Sequence, residues 1–232
     1  MTKINFKNGS MGIKNQTEQK AELYFYGDIV SSSWKWDEED TCPEDVKKFL
    51  DSVKDAKELD VFINSGGGSV FAGMAIYNML KRNKAYKTVH VDGLAASIAS
   101  VIALAGDKII IPKNAYFMIH KASMGLYGTS NDFLKASSML NTIEEGIMNV
   151  YKDNLKEGVD IDEIKKFMEE ETWFTGDQAA EYFNIEVGEE LMAVACASDL
   201  TSYNRAPKIQ GSTLKMKKVE SFYDIRKKLL NV

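Results

Sequence analysis

The pattern of apolar and polar positions divides the chain into short blocks. Residues 21–30, AELYFYGDIV, combine aromatic and aliphatic positions with a Gly27-Asp28 stop and predict a strand. Pro43 suits the first turn of a helix behind Thr41 or Cys42, and Val46, Phe49, Leu50 and Val53 then recur at helical spacing. LDVFINS (59–65) predicts a second strand, ended by three glycines, and VFAGMAIYNML (70–80) a helix. KTVHVDG (87–93) predicts a third strand, 96–105 a helix, and KIIIP (108–112) and AYFMIH (115–120) two further short strands. Strands alternating with helices predict an α/β fold built on parallel strands.

The later blocks are helical. Phe133, Leu134, Leu140, Ile143, Ile147, Val150 and Tyr151 place an apolar stripe on a long helix from Thr129 to about Leu155. A helix of that length, inserted late in an α/β core, is expected to protrude and meet another subunit. DIDEIKKFMEEE (160–171) predicts a short helix with Asp160 or Asp162 near its start, and Thr175 is placed to cap a helix leading to a last strand. The first twenty residues are polar and predict a flexible segment. Beyond Ala197 the chain turns polar and basic, with six lysines and Arg226 between 208 and 228, and reads as an extension ending in a short amphipathic helix.

Composition narrows the class. With 232 residues, 44% hydrophobic and 27% charged, the chain reads as one soluble domain with appendages and a large core. A net charge of −5, with no basic cluster interleaved with aromatics, argues against a nucleic-acid partner. Cys42 and Cys196 form no CxxC and have no neighbouring histidine, so no metal or other cofactor is expected and both thiols are read as reduced. The polar N-terminus lacks the apolar centre of a signal peptide, and the longest apolar run, 98–105, is too short to span a bilayer. The expectation is a cytoplasmic protein with no membrane partner.

Three features carry candidate chemistry. NSGGGSV (64–70), between a strand and a helix, offers backbone amides that a ligand can approach closely. Alone it is better read as a simple turn, and it fits neither the Walker A nor the dinucleotide-binding pattern. GLAASIASVIALAGD (93–107) holds two serines in an apolar setting. Ser97, near the predicted helix start, is divided between a nucleophile and a packing residue. Ser100, one turn on, is better read as a small residue bonding back to the preceding turn. Of the two histidines, His90 lies within a strand and reads as structural, whereas His120 ends an apolar strand, where an imidazole can enter a cleft as general base. Amides from a glycine turn, a serine and a histidine together make up the inventory of acyl transfer, short of a carboxylate to orient His120.

These segments resemble the proteolytic subunit of the Clp protease (ClpP) family. INSGGGSVFAGMAIYNML, DGLAASIASVIALAGD, AYFMIHK and EETWFTGDQAAEYFNIEV are similar, in order, to four motifs of that family, over about residues 21–190. The resemblance implies a spiral core of parallel strands and helices, shared with the crotonases, with a protruding handle at about 125–158. It divides the chain into a protease domain at 21–197, flanked by segments 1–20 and 198–232. It implies a serine endopeptidase with Ser97 as nucleophile, His120 as base, and the Gly67 and Ile98 amides as oxyanion hole. Glu171 stands where the family has an aspartate, with Glu169 and Glu170 as neighbours in competition, while Asp177 reads as a helix-start residue. The family's proline before the paired glycines is Gly66 here, and HKAS replaces the segment after the histidine.

The resemblance further implies a homo-oligomeric ring acting on protein or peptide substrates. The N-terminal segment is unlike the family's axial loops, which leaves partnership with an ATP-driven unfoldase open. The overall pattern is closer to the ClpP-like proteases of phages and prophages that process capsid proteins. Two alternatives stand beside this reading: a crotonase-like acyl-CoA enzyme, and a non-catalytic capsid-associated ring subunit.

Overall fold

The structure is a computed structural model that describes residues 20–31, 35, 40–189, 200 and 203–206. Strands β1 (Lys20–Phe25), β2 (Glu58–Ser65), β3 (Tyr86–Ala96), β4 (Lys108–Pro112) and β7 (Glu186–Gly188) lie side by side in the order β1-β2-β3-β4-β7. All four neighbouring pairs are parallel, as the alternation of strands and helices requires. Residues of β1 alternate between half-buried and buried, so one face of this strand meets the core through Ala21, Leu23 and Phe25.

Helix α1 (Pro43–Ser52) starts with its proline at the first turn and buries Val46, Phe49 and Leu50. Helix α2 (Val70–Arg82) is capped by the Ser69 hydroxyl, which accepts from the Ala72 amide, and buries Ala72, Gly73, Ile76, Tyr77 and Leu80. Helix α3 (Ile98–Ala103) is buried on every side, as a short helix with no polar face must be.

Two differences from the sequence pattern matter for the site. First, β3 continues to Ala96, beyond the predicted end at Gly93. Its first half pairs with β4 (Thr88↔Lys108 to His90↔Ile110), and its last residues pair with β5 (Tyr116–Ile119), from Leu94↔Tyr116 to Ala96↔Met118. That second pairing holds residues 94–96 extended, so the helix cannot begin at Ala96 and starts two residues later. Second, TWFT forms strand β6 (Thr172–Thr175), antiparallel to β5. No alternation long enough to mark a strand exists in four residues, so this departure from an all-parallel sheet was not visible in the pattern.

The long helix, α4 (Ser130–Asp153), begins behind a capping box between Thr129 and Asp132. It buries only Ile147, Val150 and Tyr151, near its end, whereas Phe133, Leu134 and Met139 in its first half are exposed. Asp160 caps α5 (Ile161–Glu169), and Thr175 caps α6 (Gly176–Tyr182), with Asp177 in its first turn, as the spacing predicted. Lys20, placed by the sequence pattern in the N-terminal segment, opens β1. The rest of that segment, Cys196 and the predicted C-terminal helix lie outside the described residues. Among the described helices none is long and apolar enough to cross a membrane.

Candidate active site

Strand register builds the site. The β3–β5 pairing ends at Ala96↔Met118, and the Ser97 amide donates to the Met118 carbonyl at 2.9 Å. The β5–β6 pairing ends at Ile119↔Thr172, so His120 and Glu171 are the next two residues on facing chains. Ser97, His120 and Glu171 therefore stand together at the ends of three adjacent strands.

Ser97 makes the turn from β3 into α3 by itself. Its φ of 55° and ψ of −128° lie outside the regions favoured by L-residues. Only one other described non-glycine residue has positive φ, and it is Glu171, at 51°. Glu171 ends α5 in the left-handed position that glycine ordinarily takes. Such strain costs on the order of 1–3 kcal/mol per residue and persists only where the surroundings enforce it, commonly at functional positions.

The Ser97 turn lifts its hydroxyl towards His120, whose Nε2 lies 2.7 Å from Ser97 Oγ. Both residues are half-buried. Burial, the larger influence, holds the His120 imidazole below the usual histidine range, and the nearby Glu171 charge pulls the other way. A neutral imidazole at physiological pH is what a general base requires.

Ser100 is buried and engaged elsewhere. Its hydroxyl donates to the Ser97 carbonyl at 2.5 Å and shares a 2.8 Å hydrogen bond with the Tyr151 hydroxyl. This is the back-bonding role read from its position, with Tyr151 as a partner that the local sequence does not reveal. Ser100→Ala is expected to cost about 1–3 kcal/mol in urea unfolding, because it strands the buried Tyr151 hydroxyl. Fluorophosphonate labelling of the folded variant should persist.

The glycine turn packs directly on the Ser97 turn. Gly67 has a φ of 100°, and a Cβ there would lie 2.7 Å from the Ala96 carbonyl oxygen and 2.8 Å from Ser97 Cβ. Gly67→Ala should therefore lower the labelling rate by at least ~100-fold, the loss typical of one misplaced oxyanion donor. A rate within twofold of wild type would show the turn to be irrelevant to the serine.

The same site added to Gly67 lies 3.2 Å from the Ile98 amide nitrogen, so the two predicted oxyanion residues are neighbours. Ile98 N belongs to the first turn of α3, where helical amides lack internal partners. The Gly67 amide, however, donates to Ser65 Oγ at 3.1 Å. Ser65 is buried and its hydroxyl donates in turn to the Gly27 carbonyl at 2.6 Å, which ties the turn to the loop after β1. On either side of Gly68, the Gly67 carbonyl accepts from Ile29 and the Ser69 amide donates to Ile29, both at 2.7 Å. Gly68 itself has a φ of 139°, and a Cβ there would lie 2.2 Å from the Ile29 carbonyl oxygen, so only glycine fits this bridge.

Of the three consecutive glutamates, only Glu171 acts electrostatically on His120. Glu170 pairs with Arg205 at 3.6 Å and is exposed, and Glu169 is exposed. No hydrogen bond joins Glu171 to His120. The Glu171 carboxylate accepts instead from the amides of Arg205 (2.6 Å) and Asn204 (3.0 Å) and from the Trp173 indole (3.3 Å). Residues 203–205 belong to the polar extension that sequence reasoning left outside the site, and nothing in their composition marks them as part of it.

His90 lies apart, stacked on Phe62 at 4.9 Å across the β2–β3 pairing, consistent with a structural role. Cys42 is a free buried thiol.

The Clp protease family model matches residues 43–186, which hold all five of these site residues. Three proteins named ATP-dependent Clp protease proteolytic subunit align over 137 residues each. That of Ligilactobacillus salivarius is 36% identical over 58% of this chain and 68% of its own length. That of Bacteroides fragilis is 30% identical over 58% of this chain and 65% of its length, and that of Porphyromonas gingivalis 28% over 58% and 60%. The chain thus spans about two thirds or less of the relatives' length. The match favours a protease over the acyl-CoA enzymes that share such a core. With the family model covering more than half of the chain and the identity in agreement, the chain belongs to the Clp protease family of serine-type endopeptidases.

Proposed function

We propose that this chain hydrolyses peptide bonds through Ser97 and His120. The observation that carries the reading is the 2.7 Å contact between Ser97 Oγ and His120 Nε2, made by a serine held in a strained turn. His120 takes the hydroxyl proton as Ser97 attacks the peptide carbonyl. The leaving amine then receives that proton, and water hydrolyses the acyl-enzyme by the same route. The Ile98 amide supplies one oxyanion donor and the glycine turn the other. In that turn the Gly68 amide meets the need more readily than that of Gly67, which is already bonded to Ser65. Glu171 is the third member, by its place opposite His120 and its charge on the imidazole.

A set of fluorogenic peptides tests this reading. Hydrolysis that is lost on fluorophosphonate treatment supports it. Absence of both hydrolysis and labelling favours the non-catalytic ring subunit, and hydration of an enoyl-CoA without labelling favours the acyl-CoA enzyme.

The finer reading is a cytoplasmic homo-oligomeric ring that processes phage capsid proteins. The exposed Phe133, Leu134 and Met139 on α4, with Met124, Leu126 and Tyr127 just before it, give that helix an apolar face suited to a second copy. The altered cleft segments, Gly66 and HKAS, support a substrate unlike those of the housekeeping relatives. Sedimentation of an active monomer would overturn the ring. Failure to cleave a capsid protein encoded alongside the enzyme would overturn the substrate.

A further inference from the structure

Leu200 and residues 203–206 lie across the site rather than beside it. The Tyr203 ring meets His120 edge-on, with centroids 5.3 Å apart, and meets Trp173 in the same way at 5.7 Å. Its hydroxyl donates to the Gly66 carbonyl in the glycine turn. Leu200 and Tyr203 together pack on a small apolar cluster separate from the main core, formed by Leu94, Ala96 and Met118 under Tyr116 and Trp173. The next two amides, of Asn204 and Arg205, bind both oxygens of the Glu171 carboxylate. One short run thus touches the glycine turn, the histidine and the acid.

We infer that residues 203–206, anchored by Leu200, form an autoinhibitory strap that covers His120 and holds Glu171 away from it. This inference rests on the peptidase reading above. When Nε2 accepts from Ser97, the imidazole proton is on Nδ1 and needs an anionic acceptor. Glu171 is the acid in reach, but its oxygens are engaged by the strap and by Trp173. The Tyr203 ring meanwhile covers the apolar surface between Trp173 of β6 and the histidine that contacts Ser97. Departure of the strap frees the carboxylate and the surface together. Gly66 has a part in this, because its carbonyl is the acceptor for the Tyr203 hydroxyl.

Two variants of the full chain test the strap. Tyr203→Ala removes the ring and the hydroxyl. Arg205→Pro removes one of the two amides that bind Glu171, whereas Arg205→Gln keeps that amide and loses only an exposed ion pair. Tyr203→Ala and Arg205→Pro should raise the fluorophosphonate labelling rate about tenfold, the factor expected if the open form is about a tenth of the population, and Arg205→Gln should fall well short of that. Docking has its own readout: Tyr203→Ala should shift the imidazole NMR resonances of His120 and leave those of His90 in place.

Unchanged His120 resonances would show that the strap does not dock. Shifted resonances with unchanged or slower labelling would show that it docks without inhibiting. Absence of labelling in every form, with His120 resonances that still shift, would overturn the peptidase reading and the inhibitory role with it, while docking stands on the NMR result alone.

Discussion

Ser97→Ala should abolish peptide hydrolysis and fluorophosphonate labelling while the protein remains folded. Ser97 is half-buried at the junction of β3 and α3, and its hydroxyl lies 2.7 Å from His120 Nε2. Losing it removes little packing, so the unfolding midpoint should move slightly, and relief of a side chain from a positive-φ position is not at issue because alanine meets the same strain. The rate should fall on the order of 10⁶-fold, as it does when the nucleophile of a dissected serine protease is removed. The contrast with Ser100→Ala is the sharper part of the result. That variant loses stability and keeps labelling, whereas Ser97→Ala keeps stability and loses labelling.

His120→Ala should lower kcat/KM by about 10²–10⁴-fold, the contribution of a positioned general base. The wild-type pH profile carries the same information without a substitution. His120 must be neutral to accept the Ser97 proton, so kcat/KM rises with pH through its pKa. Burial depresses that pKa in the folded protein, so the acid limb should fall below the unperturbed histidine value of about 6.5. The corresponding contribution to stability is fully present above that value and is lost as pH falls through the depressed one. Glu171→Gln removes the influence that opposes burial, so the acid limb should move to still lower pH as the maximal rate drops. A limb that stays in place would show that Glu171 does not act on His120.

Much of this site was legible in the sequence because each part sits at the end of a strong block. Ser97 follows an apolar strand, His120 closes AYFMIH, and the glycines close LDVFINS. Their convergence was not legible from those blocks. It follows from β3 handing its pairing from β4 to β5, and from the antiparallel β6, a strand of four residues with no readable period. The helix start was misplaced for the same reason: pairing with β5 keeps Leu94, Ala95 and Ala96 extended against their helix-favouring surroundings. Ser65 and Tyr203 were missed because their partners are 38 and 137 residues away, Gly27 and Gly66. The choice among the three glutamates could not come from spacing alone. Its register opposite His120 is what supports Glu171 in the proposed triad.

The most direct test of the account is the site of covalent capture. The protein is treated with a fluorophosphonate and digested, and the modified peptide is sequenced by mass spectrometry. The account predicts a single adduct on Ser97, absent after His120→Ala under the same exposure. An adduct on Ser100 or on any other residue, or none on an intact and folded chain, would contradict it.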